Sequence, residues 1–155
     1  MKRNTQKHRH HVRLIVSVFA ERHGQHLFIT ERRRSRITMS EPVGHVDANE
    51  SIPQAALREF LEETGLRVAL KSIIGIYYNH YAKGQISDSV RIAFFGAITK
   101  TPAQIVEQNI RLHWVKRADL PRIIKKLSHP TSRRALADFL RGQQFPLSVI
   151  RDLRL

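Results

Sequence analysis

The sequence contains no cysteine, which excludes both disulfides and thiolate metal sites. That suits a reducing cytoplasm, where the core alone must hold the fold. Long apolar runs are also missing. The stretch Leu14–Ala20 is interrupted by Ser17 and is far shorter than the roughly 20 apolar residues a bilayer requires. No small-residue cleavage site follows it, so no signal peptide is expected, and a cytoplasmic location is. No internal repeat or low-complexity linker divides the chain. With 155 residues and 41% apolar content, it reads as one domain able to enclose a core.

Acidic residues are scarce as well. Against 27 Lys and Arg there are 13 Asp and Glu, a formal charge of +14. Lys2, Arg3, Lys7, Arg9 and Arg13 lie in an opening segment without an acid, and the remainder stays basic without them. Residues 1–11 read as a basic flexible tail and 12–155 as the folded domain. His8, His10 and His11 fall in that tail, with no packed element to hold them around a metal. Such a field attracts anions in general, and it does not select a reaction.

Leu14–Ala20 and Leu27–Thr30 read as paired strands around a turn at Glu21–Gln25, with Gly24 at its centre. Arg32, Arg33, Arg34 and Arg36 crowd the next segment, and a loop is expected from there through Pro42 and Gly44. Ser51–Thr64 is the strongest helix in the chain. Ser51 and Gln54 make a Ser-x-x-Gln capping box, and Gly65 supplies the left-handed stop. Pro53 falls in the first turn, where its missing N–H costs nothing. Leu57, Phe60, Leu61 and Thr64 recur at a spacing that would face a core. Val68–Tyr78, Val90–Thr99 and Arg111–Val115 read as strands, and Ala118–Leu127 and Thr131–Arg141 as helices. Strands and helices without regular βαβ alternation predict an α/β fold, a mixed β-sheet sandwiched between α-helices.

Glu59, Glu62 and Glu63 carry the chemistry. At positions i, i+3 and i+4 they share an arc of about 100° on the helix, with neighbouring Cβ atoms roughly 5–6 Å apart. Like charges at this spacing repel, and the last helical turn favours cations over carboxylates. A solvated acidic face is one explanation. A hard cation such as Mg²⁺ is the other, because it takes oxygen ligands and removes both penalties.

The surroundings favour the cation. Gly44, Glu50, Arg58, Glu59, Phe60, Glu62, Glu63, Gly65 and Leu66, within GHVDANESIPQAALREFLEETGL, resemble the Nudix box at every fixed position without a gap. The resemblance implies a Nudix fold and metal-dependent hydrolysis of a phosphoanhydride bond, with Mg²⁺ or Mn²⁺ as cofactor. It implies Glu59, Glu62 and Glu63 as metal ligands, one of them a base toward water in some members. Arg58 would orient them, Glu50 would support the helix and its loop, and the Gly44 carbonyl would join the metal shell. Pro42–Val43–Gly44–His45, the region of Trp114 and the segment Gly142–Ile150, with Phe145–Pro146–Leu147, are similar to a NudJ-type phosphatase subgroup. Those enzymes act on nucleoside di- and triphosphates and on a pyrophosphorylated thiamine precursor.

Departures from that pattern bear on the substrate. Met39 stands where an aromatic is common, and Glu41 where an amide-type residue is expected. No proline lies between Pro53 and Pro102, so the downstream proline associated with ADP-ribose pyrophosphatases is missing. Arg32 and Arg34 either grip phosphates or belong to a solvated basic loop. Arg91 points either to the cleft or to a strand edge, and His45 is either a phosphate contact or a loop histidine. Tyr81 is a candidate substrate contact within a tyrosine cluster, and Glu107 a candidate additional acid. The expected partner is a small phosphorylated, nucleotide-like substrate. The competing readings are an RNA 5′-end pyrophosphohydrolase and a basic nucleic-acid-binding protein. Steep salt dependence would mark either of them.

Overall fold

The computed structural model describes residues 11–80, 88–100 and 109–153. Residues 1–10 of the segment read as a basic tail, Tyr81 and Glu107 therefore lie outside the described residues. Strands β1 (Arg13–Arg22) and β2 (Gln25–Arg33) form the expected hairpin. His23 and Gly24 turn it with φ of 52° and 74°, the paired left-handed conformation that matches strand twist.

The segment expected as a loop is instead two strands, β3 (Arg36–Ser40) and β4 (Val43–His45). The pairing explains why. β1 stays beside β2 only over Ala20–Arg22, which leaves the β2 edge from Ile29 onward open for β3. The opposite half of β1, Ile15–Ser17, pairs with β4. Arginines on a strand with one wet face hide the alternation that normally signals a strand.

Strand β5 (Arg67–Asn79) runs antiparallel to β6 (Ser89–Lys100), and β6 runs parallel to β1 from Arg13 to Glu21. Strand β7 (Ile110–Lys116) pairs along β2. The order β3-β2-β1-β6-β5, with β4 on β1 and β7 on β2, is a mixed sheet. Val16–Ala20 is buried without alternation, as a central strand covered on both faces must be.

Helix α1 (Ile52–Thr64) covers one face, packing Ala55, Ala56 and Phe60 with Val16, Val18, Leu27 and Phe94. Helices α2 (Leu120–Ile123) and α3 (Pro130–Leu140) cover the other, with Leu120, Leu136 and Phe139 against Phe19, Phe28 and Ala93. The sandwich is the one expected, with two local differences. Leu57 is 41% exposed, because Ala55 and Ala56 take the sheet-facing positions and let the helix approach closely. Ala118–Leu127 is not one helix but α2 between two 3₁₀ turns.

The caps of α1 hold as read. Gln54 N–H donates to Ser51 Oγ at 3.3 Å, Ser51 N–H to Gln54 Oε1 at 2.9 Å, and Gly65 sits at φ 67°. This box contributes about 1 kcal/mol. Burial of Phe60 contributes about 2–3 kcal/mol and seats the acidic turn on the sheet.

One buried histidine makes the fold pH-sensitive. His26 on β2 lies beneath Phe139, ring centroids 5.6 Å apart. Burial holds its pKa below the ordinary value, and Glu21 opposes this more weakly. Since the folded pKa is the lower one, the contribution is complete above the unfolded value of about 6.5. It is lost as pH falls through the lowered folded pKa. His129 shifts in the same direction, again chiefly by burial. Urea unfolding should therefore show stability falling as pH drops below about 6.5, by at most about 1.4 kcal/mol per unit for each proton. A His26→Leu variant should flatten that slope; an unchanged slope would refute the assignment.

Candidate active site

The last turns of α1 face β4 and the loop before the helix, and Arg58 ties the three together. Its Nε and Nη2 donate to Glu50 Oε2 and Oε1 at 3.1 and 2.6 Å, a bidentate pair. Nη1 donates to Glu59 Oε1 at 2.9 Å and to Glu62 Oε2 at 3.1 Å. Nη2 also reaches the His45 carbonyl at 2.9 Å. Local spacing allows all of this, since Glu62 is one helical turn from Arg58 and Glu50 directly precedes the cap.

Glu50 accepts the Asp47 N–H as well, at 2.7 Å. Its carboxyl is held below the usual range, first by the hydrogen bond from Arg58, while Glu50 in turn pushes the guanidinium upward. Glu50 is thus a fixed anion that locks Arg58, and it uses both oxygens doing so. Glu59 and Glu62 each engage Arg58 through one oxygen.

Glu63 anchors the other side. Its Oε2 accepts the Val43 N–H at 2.8 Å, docking β4 against the helix. Next to that contact, a Cβ at Gly44 would fall inside the Glu59 carboxylate. With the Glu59 carboxylate where it lies, only a residue without a side chain fits at this position.

These residues fit a divalent cation by donor chemistry and by shape. Oxygen donors from Glu59, Glu62 and Glu63 suit a hard ion, and the missing Gly44 side chain brings that backbone up to Glu59. Among the described residues, no three acidic or histidine side chains already converge at ligand distances. Arg58 occupies one oxygen of Glu59 and one of Glu62, which leaves each carboxylate a second oxygen to offer a cation.

The structure brings together Gly44, His45, Glu50, Arg58, Glu59, Glu62 and Glu63. His45 contributes its backbone carbonyl, which accepts from Arg58. Arg91 lies instead in the interior, 5% exposed, paired with Glu41 at 2.8 Å. Arg32 lines a separate cleft of about 230 Å³ with Thr30, Ile37, Asn109, Arg111 and His113. Arg34 stands at the β2–β3 turn with φ 54°. Sequence reading missed Arg111 and His113, although alternation along paired strands puts them beside Thr30 and Arg32. A larger groove of about 480 Å³ between β5 and α3 contains none of the glutamates of α1. Its buried Asp138 is already paired with Tyr77 and Arg134.

The family model for the NUDIX domain matches residues 8–139. The chain belongs to the Nudix family. It is a Nudix hydrolase, acting on acid anhydrides in phosphorus-containing compounds. This Nudix chain is 35% identical over 112 residues to a Bacillus subtilis (strain 168) protein provisionally named an 8-oxo-dGTP diphosphatase, covering 72% of the chain and 69% of the relative. It is 26% identical over 144 residues to Phosphatase NudJ of Escherichia coli (strain K12), covering 92% and 91%. A solved NUDIX hydrolase from Nitrosomonas europaea superposes with a TM-score of 0.81 at 25% identity, covering 92% of this chain and 98% of that one. A MutT protein from Bacillus halodurans shares the fold at TM-score 0.70 and 20% identity, covering 86% of each. No helix among the described residues is long and apolar enough to cross a membrane.

Proposed function

We propose that this Nudix hydrolase cleaves a phosphoanhydride bond in a small nucleoside di- or triphosphate or a related pyrophosphate, a thiamine-precursor pyrophosphate included, with Mg²⁺ or Mn²⁺. The observation that carries this reading is the α1–β4 junction, where Glu63 holds Val43 N–H and Glu59 fills the space left by Gly44. Glu59, Glu62, Glu63 and the Gly44 carbonyl would hold the cation. A bound divalent cation supplies neutralisation of phosphate oxygens and a more acidic water. Arg58 sets which way the Glu59 and Glu62 carboxylates point, and Glu50 keeps Arg58 in place. One of the three glutamates takes the proton of the attacking water.

The name of the Bacillus subtilis relative, an 8-oxo-dGTP diphosphatase, supports a nucleotide-like substrate, and that of the Escherichia coli relative, a phosphatase, supports cleavage at phosphate. The test is hydrolysis of a panel: nucleoside di- and triphosphates, 8-oxo-dGTP, a thiamine-type pyrophosphate, ADP-ribose and 5′-triphosphate RNA, each with Mg²⁺ or Mn²⁺. Turnover should be greatest on a small nucleotide or pyrophosphate and absent with chelator. No hydrolysis of any member would refute the reading.

The second reading, an RNA 5′-end pyrophosphohydrolase, is favoured by the +14 charge and by the cleft joining Arg32 to Arg111. It predicts that RNA is the best substrate and that its binding weakens steeply with salt.

A further inference from the structure

The connector between β3 and β4 is short, Glu41–Pro42, and it leads directly into the two backbone positions that meet the glutamates. Glu41 is 0% exposed and Arg91 5% exposed. Arg91 Nη1 donates to Glu41 Oε1 at 2.8 Å and to Ser132 Oγ at 2.7 Å, while Ser132 Oγ donates to Glu41 Oε1 at 3.1 Å. Three elements therefore close on one carboxylate oxygen: β6, α3 and the connector. One residue further on, the Pro42 carbonyl accepts the Val18 N–H at 3.0 Å, and the next N–H, of Val43, is the one that holds Glu63.

Such a pair is a poor device for stability alone. Burying both charges carries a desolvation cost that close contact only partly offsets, and an apolar pair of equal volume is often as stable or more so. The cost is higher here because Glu41 Oε2 and Arg91 Nε are buried with no hydrogen-bond partner. What the pair provides, and apolar side chains cannot, is a directional tether on the connector.

We infer that Glu41 and Arg91 are positioning residues, holding the Pro42–Val43–Gly44 backbone at the height where Val43 N–H meets Glu63 and Gly44 meets Glu59. The inference rests on the proposed reading of Glu59 and Glu63 as cation ligands. Its structural half can be measured without any cation. The hydrogen bonds of the pair run to Ser132 of α3, whereas the glutamates sit on α1, which covers the opposite face, so the pair would act on the glutamates through the connector.

The decisive variant is the double replacement Glu41→Leu with Arg91→Met, which removes the tether and both buried charges together. Ser132 Oγ, in the first turn of α3, can then turn to the carbonyl of the N-cap residue His129. Melting should show a folded protein. Amide exchange of the metal-free variant should show Val43 and Val18 losing protection by about tenfold or more, with the β5–β6 ladder unchanged. Mn²⁺ affinity and kcat should fall about 10–100-fold with little change in KM, the effect typical of residues behind a ligand shell. A folded double variant that keeps the parent's Val43 protection and Mn²⁺ affinity overturns the inference.

If the double variant does not fold, Glu41→Gln and Glu41→Ala decide instead. Gln keeps the oxygen that meets Arg91 and Ser132, so it should retain Val43 protection where Ala loses it; equal behaviour overturns the inference. A Glu63→Gln control separates the two readings, since it should lose Mn²⁺ affinity while leaving Val18 protection intact. A parent that binds no Mn²⁺ refutes the proposed function, and the amide result still decides the tether.

Discussion

A Glu63→Gln enzyme should lose about 10²–10⁴-fold in kcat, the range for removing a positioned acid–base group, or about 3–5 kcal/mol of barrier. The prediction separates chemistry from folding unusually well at this position. Glu63 Oε2 accepts the Val43 N–H at 2.8 Å, and the Gln carbonyl oxygen can accept the same bond. A neutral acceptor is roughly half as strong as a charged one, so the fold should lose no more than about 1 kcal/mol. That corresponds to a shift in Tm of about 2–4 °C for a domain of this size. Turnover on the best substrate of the panel and thermal melting are the two measurements. Parental kcat in a folded variant would show that Glu63 only docks β4 and takes no part in hydrolysis.

Gly44→Ala should be nearly as damaging to activity and as mild to the fold. Gly44 lies in β4, an extended strand, so Ala meets no backbone penalty there. The added Cβ would instead displace the Glu59 carboxylate, a flexible terminus that can rotate away. Rotation breaks the Arg58 Nη1–Glu59 Oε1 pair at 2.9 Å. A partly exposed ion pair of this kind contributes about 1 kcal/mol or less, so Tm should fall only slightly. Misplacing a ligand and its neighbouring carbonyl by an ångström typically costs about 10²-fold, and that is the expected loss in kcat. Mn²⁺ affinity should fall with it. If Gly44→Ala retained parental turnover and metal affinity, the contact between β4 and Glu59 would be a packing detail only.

Much of this site is legible in the sequence. The Ser51–Gln54 cap, the Gly65 stop and the 3.6-residue period place Glu59, Glu62 and Glu63 on one side of α1, because helix geometry is local. Arg58 reaching Glu62 follows from the same period. Its bidentate grip on Glu50 was not foreseen: the resemblance gave Glu50 only as a support for the helix and its loop, and the grip depends on how the loop before the helix folds back. Leu57 was misread because period alone cannot say how a helix is rotated on its sheet; Ala55 and Ala56 decided that by permitting close approach. β3 and β4 were invisible as strands because short edge strands are stabilised by the partner they find, here β2 and β1, rather than by their own side chains.

Glu41 and Arg91 mark the limit most clearly. Each looked like a substrate-facing departure or a strand-edge charge, yet they lie 50 residues apart and meet in the interior. A nine-position motif, through its resemblance, gave the family and the reaction class, and local helix spacing placed the acids on α1; charge and composition selected neither. Only the tertiary structure decided which backbone meets those acids, and which buried charges hold that backbone. Such meetings arise from strand pairing across long stretches of chain, and no local spacing encodes them.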